Sequence, residues 1–331
     1  MKLIDRNDPI ATTHRVRPDD EMTPDLCASG ARAGSGVHHL RSCYVHQTFK
    51  IQVMRPRQGA GNGSRCPVVY VTDGNVVFEM FKSISTLIQM SPNDAPPYIL
   101  VGIGYPSEAP FAGNRLRVRD FSFPRYPRFT LPEPTFEGVM FPETGTKEID
   151  GGEDFQLFIA NELIPFIDNA YETLPDDRTY FGHSGGGVFG LFTLFRKPHL
   201  FKNYIISSPA LSFHGEMPGG FYYENCDFAF DEAREFIANV KSMTGVNLYM
   251  SVGSEEEFEE RLSQWRLTSS MLRMAAFLNN SNIPGLRVMT EVLPGETHMT
   301  VWPMAFIHGV QAIFGTRRVL NDRHGALAHG K

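Results

Sequence analysis

Gly182-His183-Ser184-Gly185-Gly186 lies between the apolar run Thr179-Tyr180-Phe181 and the helical run Val188-Phe189-Gly190-Leu191-Phe192-Thr193-Leu194-Phe195. A G-x-S-x-G pattern by itself is common, because glycine and serine fill many small loops. Placed between a strand and a helix, it describes a nucleophile elbow. Such a turn is so tight that the flanking residues, Gly182 and Gly186, must be nearly free of side chain. It would hold the Ser184 hydroxyl at a strand tip, with the dipole and amides of the next helix near any oxyanion. An ordinary glycine-rich turn is the plainer alternative, and the order strand, turn, helix favours the elbow.

The pattern on either side supports the same architecture. Pro67-Val68-Val69-Tyr70-Val71-Thr72 and Tyr98-Ile99-Leu100-Val101-Gly102-Ile103 are unbroken apolar runs of strand length, as expected for strands buried on both faces. Residues 204–207, 246–252 and 286–292 read as further strands, and 44–53 as edge strands with Phe49, Ile51 and Val53 alternating. Helical spacing covers 76–90, 155–171, 231–242, 258–278 and 302–314. Strands alternating with helices predict an α/β-hydrolase fold, a mainly parallel sheet with helices on both faces. Residues 1–36 read as an N-terminal extension, 37–315 as the hydrolase domain and 316–331 as a polar tail. Two irregular, aromatic-rich stretches, 105–151 and 209–230, are expected to form loops over the active site.

Composition narrows the class. A chain of 331 residues fits one large α/β domain or two small ones, and 42% hydrophobic residues with 26 Phe allow a substantial core. The net charge of −6 argues against nucleic acid as a partner. No segment reads as a membrane span, and charges interrupt the first nine residues before any apolar core, so a cytoplasmic location is expected. Cys27, Cys43, Cys66 and Cys226 are scattered, with no C-x-x-C pair and no zinc spacing. They read as free thiols, and neither a metal nor a cofactor is expected. The oligomeric state stays open, a homodimer among the options.

A serine hydroxyl attacks well only when a base takes its proton, and the base needs a carboxylate to fix its tautomer. The hydrolase chain order is serine, acid, histidine, each after a later strand. Gly253-Ser254-Glu255-Glu256-Glu257 follows the strand at 246–252, and Pro294-Gly295-Glu296-Thr297-His298 follows the strand at 286–292. A solvated first helical turn accounts for two of the three glutamates. His298 is the expected base, with His214 as a weaker rival and His183 expected to pack. One oxyanion donor is the amide of Gly185. The other is assigned to the amide of Asn75, in the Asp73-Gly74-Asn75 turn after the first long strand.

Val69-Tyr70-Val71-Thr72-Asp73-Gly74-Asn75, with Val101-Gly102-Ile103-Gly104-Tyr105, Arg117-Val118-Arg119-Asp120-Phe121, the run from Glu162 through Ser184, and Pro294-Gly295-Glu296-Thr297-His298, resembles an esterase family of α/β hydrolases. Its relatives include siderophore (enterobactin-type) esterases and the esterase-D group. The resemblance implies a serine ester hydrolase with Ser184, His298 and, at the V-G-x-x-E position, Glu256. Two departures stand out: Gly185 occurs where the family usually has a larger residue, and 129–150 is longer than typical.

The first half of the long loop holds Arg115, Arg117, Arg119, Arg125 and Arg128 against Asp120 alone. A cationic rim there would suit an anionic or catecholate ester. The plainer reading pairs Arg119 with Asp120 and leaves the other arginines in water. Candidate substrate contacts are Arg115, Arg117, Arg119, Phe121 and Tyr222. The expected activity is ester hydrolysis through an acyl-enzyme, on a small-molecule siderophore-type or aryl ester. An acyltransferase on the same scaffold and a non-catalytic binding module are the alternatives.

Overall fold

β3 (Cys66–Val71), β4 (Ile99–Gly104) and β6 (Asn203–Ser207) are buried at every residue, which requires cover on both faces of the sheet. The computed structural model describes residues 36–56, 64–106, 114–123, 151–217 and 221–315. All of the expected extension 1–36 except Gly36, which opens β1, the tail at 316–331 and most of the long loop fall outside them. With β1 (Gly36–Arg41), β2 (Thr48–Met54), β5 (Thr173–His183), β9 (Val246–Gly253) and β10 (Leu286–Leu293), the buried strands form one eight-stranded sheet. Its order is β1-β2-β4-β3-β5-β6-β9-β10. β1 and β2 join antiparallel at one edge, and all pairings from β4 to β10 are parallel.

Because successive strand side chains point to opposite faces, each strand feeds two cores. Val68, Tyr70, Val101, Tyr180, Ile206 and Leu248 face one core. Their neighbours Val69, Val71, Leu100, Phe181, Ile205 and Tyr249 face the other. The second core is closed by α1 (Gly74–Ile88) and α8 (Val301–Phe314), whose Phe81 and Phe306 stack 4.0 Å apart. Beyond it, Glu291 of β10 accepts a 2.6 Å bond from the Tyr249 hydroxyl of β9 and 3.0 Å bonds from His308 Nδ1 of α8. The first core is covered by α3 (Gly152–Phe158), α4 (Ile164–Ala170), α5 (Gly185–Arg196), α6 (Phe228–Asn239) and α7 (Leu267–Asn280). A π-helical turn, Ile159–Leu163, joins α3 to α4, so the helix expected over 155–171 is a single rod with one wide turn.

Three segments differ from their sequence reading. The helix expected over 258–278 is broken into 3₁₀ turns Glu256–Phe258 and Ser263–Trp265 before α7 begins. Arg266 sits left-handed at the junction, φ 46°, where a continuous helix cannot pass. The stretch expected to be irregular over 209–230 contains an antiparallel ribbon, β7 (Phe213–Met217) with β8 (Phe221–Cys226). A short helix, α2 (Asn114–Phe121), lies inside the expected 105–151 loop. All parallel strands end at one sheet edge, which is where open α/β folds bind ligands.

Candidate active site

β5 runs directly into Ser184, whose φ of 56° and ψ of −118° lie outside the regions that a serine adopts freely. Two packing contacts impose that turn. A Cβ on Gly182 would stand 2.2 Å from the Gly186 carbonyl oxygen, and one on Gly186 would stand 2.7 Å from Thr72 Oγ1. Both positions demand glycine, as the motif required. At Gly185 a Cβ would first meet Arg117 Nη1, at 3.3 Å, so steric need alone does not select glycine there. The Ser184 amide donates to the Ser207 carbonyl at 2.9 Å, and the Tyr180 hydroxyl donates to the Gly186 carbonyl at 2.7 Å. Gly185 opens α5, in the first turn whose amides helix geometry leaves without intrahelical acceptors.

Of the three consecutive glutamates, the structure buries Glu256. Its Oε1 accepts from the Gly253 amide and from Ser208 Oγ, each at 2.6 Å, and its Oε2 accepts from His298 Nδ1 at 2.7 Å. A carboxylate with no exposed surface needs such donors to offset its lost hydration. The bond places the imidazole proton on Nδ1 and leaves Nε2 as the acceptor. Glu255 is exposed beside Ser254, and Glu257 accepts from the Ser269 amide in the first turn of α7. The loops after β9 and β10 are tied together. Glu259 Oε1 accepts the His298 amide at 2.7 Å, and the Glu255 amide donates to the Glu296 carbonyl at 3.1 Å.

His183 packs, as expected, and it does so against the site. Its ring lies 4.4 Å from the His298 ring and 4.0 Å from the Trp302 ring, and its Nδ1 is 3.0 Å from Ser207 Oγ. His298 therefore stands beside the residue that immediately precedes Ser184, at the same sheet edge. Burial first, then the nearby His298 and Arg117, push the His183 pKa well below the ordinary imidazole value.

The loop after β3 has a definite role. Asp73, left-handed with φ 58°, gives its carbonyl to the amides of Val76 and Val77 and its carboxylate to Arg117. The Arg117 Nε to Asp73 Oδ1 distance is 2.5 Å, and Arg117 Nη2 also donates to the His183 carbonyl at 3.2 Å. Asn75 stands in the first turn of α1 and clamps Tyr105, accepting its amide at 2.6 Å and donating to its carbonyl at 2.9 Å.

Two of the five arginines expected to form a cationic rim are engaged internally. Arg117 is tied to Asp73 and lies 4.9 Å over the Phe121 ring. Arg119 pairs with buried Asp120 at 2.6 Å, the plainer of the two sequence readings. Burial raises the Asp120 pKa, with Arg119 opposing it. Phe121 is 5% exposed and packs on Phe155 and Phe189, so its ring belongs to the core beneath the elbow. The side chain of Arg115, and Arg125 and Arg128, lie outside the described residues. Tyr222 is 67% exposed on the ribbon beside His214, whose Nδ1 bonds the Glu224 carbonyl. Sequence reasoning missed Ser208, Glu259 and the Asp73–Arg117 pair. Each acts through a contact far along the chain, and no local pattern announces it. Among the described residues no group of three or more His, Cys, Asp or Glu could hold a metal ion, and no helix is long and apolar enough to cross a membrane.

Comparison with known proteins points the same way. A family model described as "Putative esterase" matches residues 139–313. The ferri-bacillibactin esterase BesA of Bacillus subtilis is 28% identical over 274 residues, covering 82% of this chain and 86% of that protein. A siderophore enterobactin esterase of Emericella nidulans is 28% identical over 222 residues, covering 64% of this chain and 67% of that protein. The crystal structure of the BES protein from Bacillus cereus superposes with a TM-score of 0.67 at 26% identity, covering 86% of this chain and 97% of that one.

Proposed function

The chain belongs to this esterase family and is an ester hydrolase, and from that premise we propose that it works through an acyl-enzyme on Ser184, with siderophore-type or aryl esters as substrates. Ser184 Oγ attacks the ester carbonyl while His298 Nε2 takes the hydroxyl proton. Glu256 keeps the imidazole in the right tautomer and balances the imidazolium that forms. The amides of Asn75 and Gly185 hold the oxyanion, each contributing roughly 3–4 kcal/mol if it behaves as in other acyl-transfer sites. Collapse of the intermediate breaks the ester bond, and His298 returns the proton to the departing alcohol oxygen. Water then repeats the sequence on the acyl-serine and frees the acid.

The observation that carries this reading is the 2.7 Å bond from His298 to a fully buried Glu256, one ring away from a strained elbow. The siderophore assignment is supported by the relatives, two of which are named for it. It draws nothing from Arg117 and Arg119, which are internally paired. We assign the exposed Tyr222 of the β7–β8 ribbon to the surface that the substrate meets.

A fluorophosphonate probe should label the wild-type protein and fail to label Ser184→Ala. A panel holding a catecholate trilactone, linear aryl esters and simple acyl esters should then show turnover that depends on Ser184. Labelling of Ser184→Ala would remove the nucleophile assignment. Turnover of simple acyl esters alone would remove the siderophore and aryl assignment while leaving the mechanism.

A further inference from the structure

His183 touches neither the ester nor the serine hydroxyl in the mechanism above, yet it is among the most enclosed side chains of the site. It is 1% exposed and lies between two rings, His298 at 4.4 Å with a tilt of 42° and Trp302 at 4.0 Å with a tilt of 34°. Its Nδ1 meets Ser207 Oγ at 3.0 Å, on the same residue whose carbonyl receives the Ser184 amide. Its Nε2 is buried without an aligned partner, and the neighbouring His298 backbone compensates only weakly. Leaving a ring nitrogen unsatisfied in the interior is unfavourable. An aliphatic residue would avoid that penalty, so the ring must serve some other purpose here.

We propose that His183 is a positioning residue for the catalytic base, its ring forming, with Trp302 behind it, the wall against which the His298 imidazole is held in register with Glu256 and Ser184. The inference rests on the acyl-enzyme reading. The imidazole of His298 has one hydrogen bond among the described residues, from Nδ1 to Glu256, so the remaining tilt allowed by its side-chain torsions is set by packing. A flat neighbour at 4.4 Å limits that tilt by contact. Holding a reacting group in its productive orientation is worth large factors in rate, and small misplacements forfeit them. The wall also keeps water from one face of the ring while His298 carries the proton. His183 is suited to this because burial and its neighbours favour its uncharged form beside the imidazolium. Arg117, on the far side of the elbow through the His183 carbonyl, contributes to keeping it so.

The prediction separates the ring from the hydrogen bond. In His183→Phe the ring remains and Ser207 loses its partner, so melting temperature falls while kcat per titrated active site stays within about threefold of wild type. In His183→Gln a polar partner for Ser207 remains and the ring is lost, so kcat falls by about 30-fold or more with KM within about twofold. Active sites are counted by the fluorophosphonate burst, which excludes unfolded protein from the rate. The reverse order, Phe impaired and Gln near wild type, would assign the role to the Ser207 bond and overturn the proposal. Equal rates in both variants would overturn it also. Where His183→Gln does not fold, Trp302→Leu carries the test, with the same kcat loss expected and an unchanged kcat overturning the wall. Ser184→Ala runs in the same series. If that variant labels and turns over ester, the acyl-enzyme reading has failed, and the wall is not what failed.

Discussion

At the scale of single residues, the site depends on which glycines are obligatory. Gly182→Ala would drive a methyl into the Gly186 carbonyl 2.2 Å away, a backbone atom with nowhere to go. We expect it to lower stability by about 3 kcal/mol and to abolish labelling of Ser184, read by chemical denaturation and probe gel. Gly185→Ala meets only the movable tip of Arg117 at 3.3 Å and should keep the fold and at least a tenth of the activity. Comparable damage from both substitutions would mean that the elbow is not the tight turn described. Ser208→Ala removes one of three donors to Glu256 and should lower kcat by about tenfold with little change in KM, as expected for a hydrogen bond to a charged group. An unchanged kcat would show that Gly253 and His298 suffice to hold the carboxylate. The types and chain order of Ser184, Glu256 and His298 could be picked out of the sequence, and the structure brings Glu256 to His298 and His298 beside the residue that precedes Ser184. Among the three adjacent glutamates, only the V-G-x-x-E position of the family resemblance singled out Glu256, and the acidic run by itself did not. Burial of Glu256 follows from the 3₁₀ turn and from Ser208, a partner 48 positions away.

At the scale of elements, an ion pair helps to join α2 to the end of the sheet. Arg117 of α2 reaches Asp73 after β3 and the carbonyl of His183 at the end of β5, so three segments meet at one guanidinium. The Asp73 side chain is 7% exposed and that of Arg117 is 22% exposed, so water screens the pair only in part. Arg117→Ala strands a nearly buried carboxylate and should cost about 2–3 kcal/mol of stability. KM for a neutral aryl ester should stay within about threefold. A tenfold rise in KM with an unchanged melting temperature would instead place this arginine on the substrate. The elements themselves were read well where apolar periodicity was long, as in the buried strands and in α1, α5 and α8. They were read poorly where periodicity ran through a conformational break. Helical spacing over 258–278 continues past Arg266, and only the backbone, left-handed at that residue, reveals two short 3₁₀ turns ahead of α7. The ribbon β7–β8 was hidden because two short strands that pair only with each other carry little burial pattern.

At the scale of the whole molecule, the helix layer formed by α8 is fastened to the sheet by Tyr249, Glu291 and His308, a cluster whose charge depends on pH. The bond to Glu291 raises the His308 pKa above 6.5, outweighing burial. Burial works against ionised Glu291, and the bonds from His308 and Tyr249 overcome it, leaving its pKa below 4.5. The histidine's contribution is complete below the unfolded value of 6.5 and is lost as pH climbs through the raised folded one. The carboxylate's contribution is complete above 4.5 and is lost as pH falls through its lowered folded value. The difference in melting temperature between wild type and His308→Gln should therefore be greatest between about pH 4.5 and 6.5 and shrink on the alkaline side. A difference that stays constant from acid to alkali would show that the cluster stabilises by packing alone. The global architecture was legible because strands and helices alternate along the chain, whereas this fastening joins residues that share no motif. The sheet order has a further consequence for the timing of activity. Ser184 follows a central strand, and His298, its proposed proton acceptor, follows β10, an edge strand and the last to be made among the described residues. A ribosome releases Ser184 long before His298, so under the proposed mechanism a nascent chain carries a dormant hydroxyl until the closing strand arrives.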